Sequence, residues 1–194
     1  MTTSSDVRIR RLSRFGAREI RGLADVLIDC VEGGASVSFM LPITREKAES
    51  FWLKSAESAM RGERLILAAE DAEGTIVGTV TVILDLPENQ PHRGDLAKML
   101  VRRAVRGRGV GAALLQAAED SAREAGRTLL VLDTVTGTAA ARLYARHGWQ
   151  RCGEIPDYAL WPDGRRCPTT IYYKFLTVPN RTPIGAPVEA SAHS

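Results

Sequence analysis

The chain has 194 residues, with 26 Lys+Arg against 23 Asp+Glu and a formal charge of only +3. Hydrophobic residues at 44% and charged residues at 25% exclude wholesale disorder, and the length suits one ordinary domain with a sizeable core. No apolar run approaches a membrane span, the opening MTTSSDVRIRRL lacks signal-peptide character, and Cys30, Cys152 and Cys167 have no metal-like spacing. A soluble, cytoplasmic protein with reduced thiols and no metal site is expected.

Residues 1–6 read as a flexible arm. Val7 and Ile9 alternate toward Leu12 as a first strand over 7–12. Ile20, Leu23, Ala24, Leu27, Ile28 and Val31 follow helical spacing, and Gly33-Gly34 ends that helix. A loop over 34–42 leads to a second helix from Thr44, with Ala48, Phe51, Trp52 and Ala59 near one face. Strands over 65–70 and 75–84 flank a hairpin-like turn. A proline-containing loop precedes a fourth strand over 95–101, and a Gly/Arg loop over 106–109 opens a helix that runs to Gly126. That helix should bury Val110, Leu114, Ala117, Ala118 and Ser121. A fifth strand over 128–132, a short helix over 139–147, and strands over 149–153 and 170–176 around the turn Pro162-Asp163-Gly164 complete a domain over 7–176. Residues 177–194 contain three prolines and read as a flexible tail. Crossovers and hairpins together imply a mixed α/β sheet of about seven strands with helices on both faces.

Charge is unevenly placed. Lys98, Arg102, Arg103, Arg106 and Arg108 lie between positions 98 and 111 with no acid among them, and subtracting those five from +3 leaves the other 180 residues at −2. The same window contains Arg106-Gly107-Arg108-Gly109-Val110-Gly111 at a strand-to-helix junction. Glycines let an oxygen-rich ligand approach the backbone, the first-turn amides and helix dipole favour an anion, and the five cations read as one phosphate-facing segment. A dinucleotide-binding turn does not fit, because the third glycine of that motif is missing and the loop lies mid-chain. The absence of Gly-Lys-Ser/Thr excludes an NTPase phosphate loop. Nucleic-acid binding is disfavoured because no aromatics interleave with the arginines.

This loop resembles the R/Q-x-x-G-x-G/A segment of the GNAT acetyltransferase superfamily. Ala141-Arg142-Leu143-Tyr144-Ala145-Arg146-His147-Gly148-Trp149 is similar to that superfamily's A-x-x-L-Y-x-x-x-G-F/W segment. The resemblance implies a GNAT fold, with the fourth and fifth strands splayed around acetyl-CoA. It places the pyrophosphate on Arg106, Gly107, Arg108, Gly109, Val110, Gly111 and Ala112, and the pantetheine along the backbone of Met99, Leu100 and Val101. It also implies that Tyr144 protonates the departing sulfur. Many members carry an asparagine after the fifth strand; here the stretch is Thr134-Val135-Thr136-Gly137-Thr138. Segments 33–40, 132–134, 162–165 and 168–174 further resemble tabtoxin-resistance acetyltransferases, which acetylate a β-lactam amino-acid toxin.

Acetylating an amine needs a neutral nucleophile. At pKa about 10.4, deprotonation at pH 7 corresponds to roughly 4.6 kcal/mol, and near pKa 8 to about 1.4. Asp95, opening the fourth strand, and Asp133, closing the fifth, are acids that could take this proton or attract a cationic substrate. The tabtoxin-resistance likeness assigns both to the reacting amine. His92 is a third base candidate. Gly34, Ser36, Phe39, Tyr158 and Trp161 are candidate substrate walls. The acceptor stays open between a β-lactam amino acid, a polyamine, an aminoglycoside and a protein N-terminus. A non-catalytic acyl-CoA sensor is the remaining alternative, and the protein is expected as a monomer or homodimer with no nucleic-acid or membrane partner.

Overall fold

The computed structural model describes residues 7–176; the segments 1–6 and 177–194, expected as arm and tail, lie outside the described residues. In chain order the elements are β1 (Arg8–Arg11), α1 (Ala17–Glu32), α2 (Arg45–Met60), β2 (Arg64–Glu70), β3 (Ile76–Ile83), β4 (Arg93–Val101), α3 (Val110–Glu124), β5 (Leu129–Val135), α4 (Ala139–Arg146), β6 (Gln150–Leu160) and β7 (Arg166–Phe175). The strands form one seven-stranded sheet in the order β1-β2-β3-β4-β5-β7-β6. Every neighbouring pair is antiparallel except β4 and β5.

Two apolar cores lie on opposite faces of this sheet. On one, α1 lays down Ile20, Leu23, Ala24, Leu27 and Val31, and α2 contributes Ala48, Trp52 and Ala56. Thr44 caps α2 by accepting the Lys47 amide at 3.2 Å, which satisfies a donor that has no intrahelical partner. On the other face α3 buries Val110, Leu114, Leu115, Ala118 and Ala122. Each fully buried leucine contributes on the order of 2 kcal/mol. The inward face of α3 therefore includes Leu115 and Ala122, while Ala117 and Ser121 sit at its half-buried margin.

The C-terminal strands are longer than their sequence pattern suggests. β6 runs on to Leu160 through Pro156, and β7 begins at Arg166, so together they form a long hairpin. β6 is the sheet's edge, where the missing N–H of Pro156 breaks no ladder bond. Most of its residues are exposed, leaving no apolar alternation to read. β5 likewise extends past Leu132 to Val135, paired with β7 throughout, so Asp133 lies within the strand rather than at its end.

Candidate active site

The site arises from a register fault. β4 and β5 pair only from Arg93↔Leu129 to Asp95↔Val131. On the other side of β4, Thr81 pairs with Ala97 but Thr79 with Leu100, so Lys98 and Met99 together face the single residue Val80. This extra residue is a β-bulge, and Lys98 takes a left-handed φ of 50° within it. The bulge bends the strand and reverses its side-chain alternation: Leu96 joins the core under α3, and Leu100 the core under α1 and α2. Beyond Asp95, β4 stays with β3 and parts from β5. A cleft of about 1170 Å³ opens between them.

At one end lies the loop before α3. Gly107 and Gly109 have φ of 77° and 83°, which an L side chain adopts only at a cost. The first intrahelical bond of α3 is from the Ala113 amide to the Gly109 carbonyl, so the amides of Val110, Gly111 and Ala112 precede it without intrahelical partners. All three residues line the cleft, with Gly107 and Gly109. Gly111 also allows α4 to approach, since a Cβ there would meet Leu143 at 3.2 Å. Met99, Leu100 and Val101 line the adjoining wall, where β4 has no β5 partner. A strand edge leading to a helix N-terminus suits a ligand that carries amides along its length and phosphates at its end. Coenzyme A has that chemistry.

The five clustered cations do not share one target, which corrects the picture of a single phosphate-facing patch. Arg103 is bound to Asp29, through both its side chain at 3.0 Å and its amide at 2.8 Å. Arg106 lines the cleft, yet its Nε donates to the Val101 carbonyl at 3.0 Å, bracing the strand end, and Nη2 lies 3.7 Å from Cys30 Sγ. Arg108 lies off the lining. Lys98 turns the other way: its Nζ donates to Ser38 Oγ at 3.1 Å and sits 5.6 Å from the Phe51 ring centroid.

Tyr144 and Asp133 also line the cleft. Tyr144 comes from α4 and packs between Trp149 and Tyr172, with ring centroids 5.7 and 6.1 Å away. Burial raises its phenol well above the ordinary value, and the Asp133 carboxylate raises it further. Tyr144 is thus held protonated. Asp133 is exposed to the cleft, and its side chain makes no hydrogen bond or ion pair among the described residues. Asp95 is on the same sheet face, since its register partner Val131 is two residues from Asp133. It does not line the cleft; Arg93 meets it at 3.2 Å, and its Oδ1 is buried without a partner. Burial raises the Asp95 pKa, Arg93 opposes this, and Asp133 adds to it. His92 also lies off the lining.

Gly34, Ser36, Phe39, Tyr158 and Trp161 all border the cleft. Ser36 Oγ donates to the Leu160 carbonyl at 2.6 Å, tying the 33–40 loop to the end of β6. Phe39 is largely buried against Phe51, edge to face at 5.2 Å, while Tyr158 is half exposed. Thr138 caps α4, accepting the Ala141 amide. Sequence reasoning misses Cys30, Leu143 and His147 as lining residues. Leu143 and His147 flank Tyr144 within the 141–149 segment, whereas no local motif marks Cys30, which only the tertiary fold brings to the cleft.

The sequence profile of the acetyltransferase (GNAT) family matches residues 37–149, more than half of the chain. The chain belongs to the GNAT acetyltransferase family. An IAA acetyltransferase of Azospirillum brasilense is 30% identical over 116 residues, covering 59% of this chain and 73% of that protein. Among solved structures, a ribosomal-protein-alanine N-acetyltransferase from Brucella melitensis superposes with a TM-score of 0.72 at 25% identity, covering 87% of this chain and 99% of that one. A Salmonella typhimurium structure holding its cofactor acetyl-CoA has a TM-score of 0.72 at 18% identity, over 96% and 100% of the two chains, and supports the fold alone. The seven-stranded mixed sheet with four α-helices is thus a GNAT sheet, and its parted central strands are the family's architecture.

Proposed function

We propose that this GNAT protein transfers the acetyl group of acetyl-CoA directly to a primary amine of a small molecule. One observation carries the reading: β4 and β5 part over the α3 N-terminus, and the same cleft presents Asp133 and Tyr144. Acetyl-CoA supplies an activated thioester. The amides of Val110, Gly111 and Ala112 hold its phosphates, and the β4 edge from Met99 to Val101 aligns its pantetheine. Asp133, unpartnered and facing the cleft, accepts the proton of the incoming ammonium, directly or through water. Tyr144, whose raised pKa keeps its proton at neutral pH, donates toward the departing sulfur. Asp95, on the same sheet face as Asp133 but off the cleft lining, acts through its charge rather than by touching the substrate.

The resemblance to tabtoxin-resistance enzymes makes a β-lactam amino acid one candidate acceptor. A protein N-terminus is the second reading, favoured by the name of the Brucella melitensis relative. A thiol-release assay with acetyl-CoA against amino-acid β-lactams, aminoglycosides, polyamines and peptides separates them. Release with a small amine is the expected result; silence across the whole panel refutes the reading. Asp133→Asn should still bind acetyl-CoA by calorimetry while losing about 10²–10⁴-fold in kcat/KM. Full turnover by that variant removes Asp133 as the base.

A further inference from the structure

Lys98 has no role in the scheme above. Three non-glycine residues among those described have a left-handed φ: Ser38 at 74°, Lys98 at 50° and Asp157 at 52°. Two of the three meet each other. Ser38 and Lys98 lie 60 positions apart in sequence, both line the cleft, and a 3.1 Å hydrogen bond joins their side chains. Strained backbone persists where the surrounding structure over-determines it, and such residues cluster at ligand sites. The Lys98 stem is fixed as well, its ammonium lying over the Phe51 ring.

The charge arrangement points to what is missing. Lys98 makes no ion pair among the described residues, and its one hydrogen-bond partner is a neutral hydroxyl. Burial lowers its pKa, the field of Asp133 raises it, and Arg64 lowers it again. Asp133 is therefore near enough to be felt, yet no ion pair joins the two. A partly desolvated ammonium paired only with a hydroxyl is short of an anion. The anion is not coenzyme A phosphate. From Ala97, beside Lys98, to Val101 the strand passes three positions of β3, Thr81 to Gly78, or about 10 Å toward the α3 loop, so Lys98 stands at the acceptor end.

We infer that Lys98 and Ser38 form a carboxylate-binding subsite, and that the acceptor is an amino acid whose amine faces Asp133 while its carboxylate faces Lys98 and Ser38. This rests on the acetyltransferase reading and narrows its substrate class. The ammonium supplies charge, and the Ser38 hydroxyl can turn from accepting the Lys98 proton to donating its own. Polyamines and aminoglycosides carry no anion for this position and place a cation beside Lys98, so they are disfavoured. Phe39 and Trp161 in the same wall suit an apolar side chain.

The test compares each free amino acid with its carboxamide, using phenylalanine, methionine and leucine, in the acetyl-CoA thiol-release assay. Rates are taken per neutral amine, because amidation also lowers the amine pKa. The wild type should favour the acids at least tenfold in kcat/KM. Lys98→Met should bring the ratio near one, chiefly through the KM of the acids, and Ser38→Ala should reduce it less. Equal use of acid and amide by the wild type overturns the subsite, as does a ratio unchanged in a folded Lys98→Met protein. Should no amine be acetylated, the functional reading fails separately, and calorimetry on the CoA-saturated protein still decides the subsite. N-acetyl amino acids binding tenfold tighter than N-acetyl amides support it; equal binding, or none, overturns it.

Discussion

Glu119 is a carboxylate 2% exposed inside an apolar core, and its surroundings specify a measurable cost. Its two oxygens accept from Trp149 Nε1 at 3.0 Å and from Lys174 Nζ at 2.7 Å, and Arg123 approaches to 3.7 Å. These contacts join α3 to β7 and to the Trp149 that packs on Tyr144. Lys174→Met keeps the aliphatic stem and removes the ammonium. Removing one partner of a buried pair costs about 3–5 kcal/mol, because the other charge stays buried. Here the lysine is 22% exposed and two donors remain, so the expected loss is about 2 kcal/mol. At about 2–4 °C per kcal/mol for a chain this size, Tm should fall by about 4–8 °C. Glu119→Gln removes the charge while leaving an acceptor for Trp149, and the double variant should be destabilised by at least about 1 kcal/mol less than the two single losses together. Urea denaturation of all four proteins closes the cycle. Additivity within about 0.5 kcal/mol would show that the pair is not coupled and refute the reasoning.

Three further expectations concern the cleft and its surroundings. Gly109→Ala places a Cβ in open space but at φ 83°, so strain alone should cost about 1–2 kcal/mol, and CoA affinity should fall with it. Gly126→Ala, at φ 76° beyond the other end of α3, should cost similar stability and leave CoA affinity unchanged; calorimetry showing equal affinity in both variants would contradict the anion site. Tyr144→Phe should lower kcat with little change in KM, which a full kinetic titration reads directly. For Asp95, a folded pKa raised above the unfolded value of about 3.9 means the folded state binds more protons, so its contribution to stability falls as pH rises through that window and is level above it. The Tm of Asp95→Asn relative to wild type should consequently be more favourable at pH 7 than at pH 4, and an identical difference at both would refute the assignment.

How much of this was legible in the sequence depended on distance along the chain. The helices follow from apolar spacing and from local stops such as Gly33-Gly34 and Thr44, because cap and periodicity lie within a few residues of one another. The coenzyme end was legible for the same reason: Gly107 to Ala112 is one contiguous segment. The acceptor end draws on 33–40, Lys98, Asp133 and 158–161, whose meeting needs the folded sheet. Sequence adjacency suggests that Lys98 shares a direction with the arginines, and the bulge reverses that direction. An exposed edge strand such as β6 carries no burial pattern, so its sequence marks only part of its length. The polar Thr134, Thr136 and Thr138 after Asp133 suggest a strand end, whereas polarity is tolerated where a strand borders a cleft.

The three-residue pairing of β4 with β5 has a mechanical consequence. The strands from β1 to β4 are continuous through antiparallel ladders, as are β5, β7 and β6, but among the described residues only Arg93–Asp95 against Leu129–Val131 joins the two groups within the sheet. The sheet is a seam closed at one end and open at the other. A ligand lying along Met99–Val101, as proposed for the pantetheine, would bridge the open part and complete a strand position that the chain itself leaves out. At a hundredfold excess over Kd such a ligand stabilises the fold by about 2.7 kcal/mol. That gain should appear as slower amide exchange on both lips of the seam, making the co-substrate a transient structural element of the protein that consumes it.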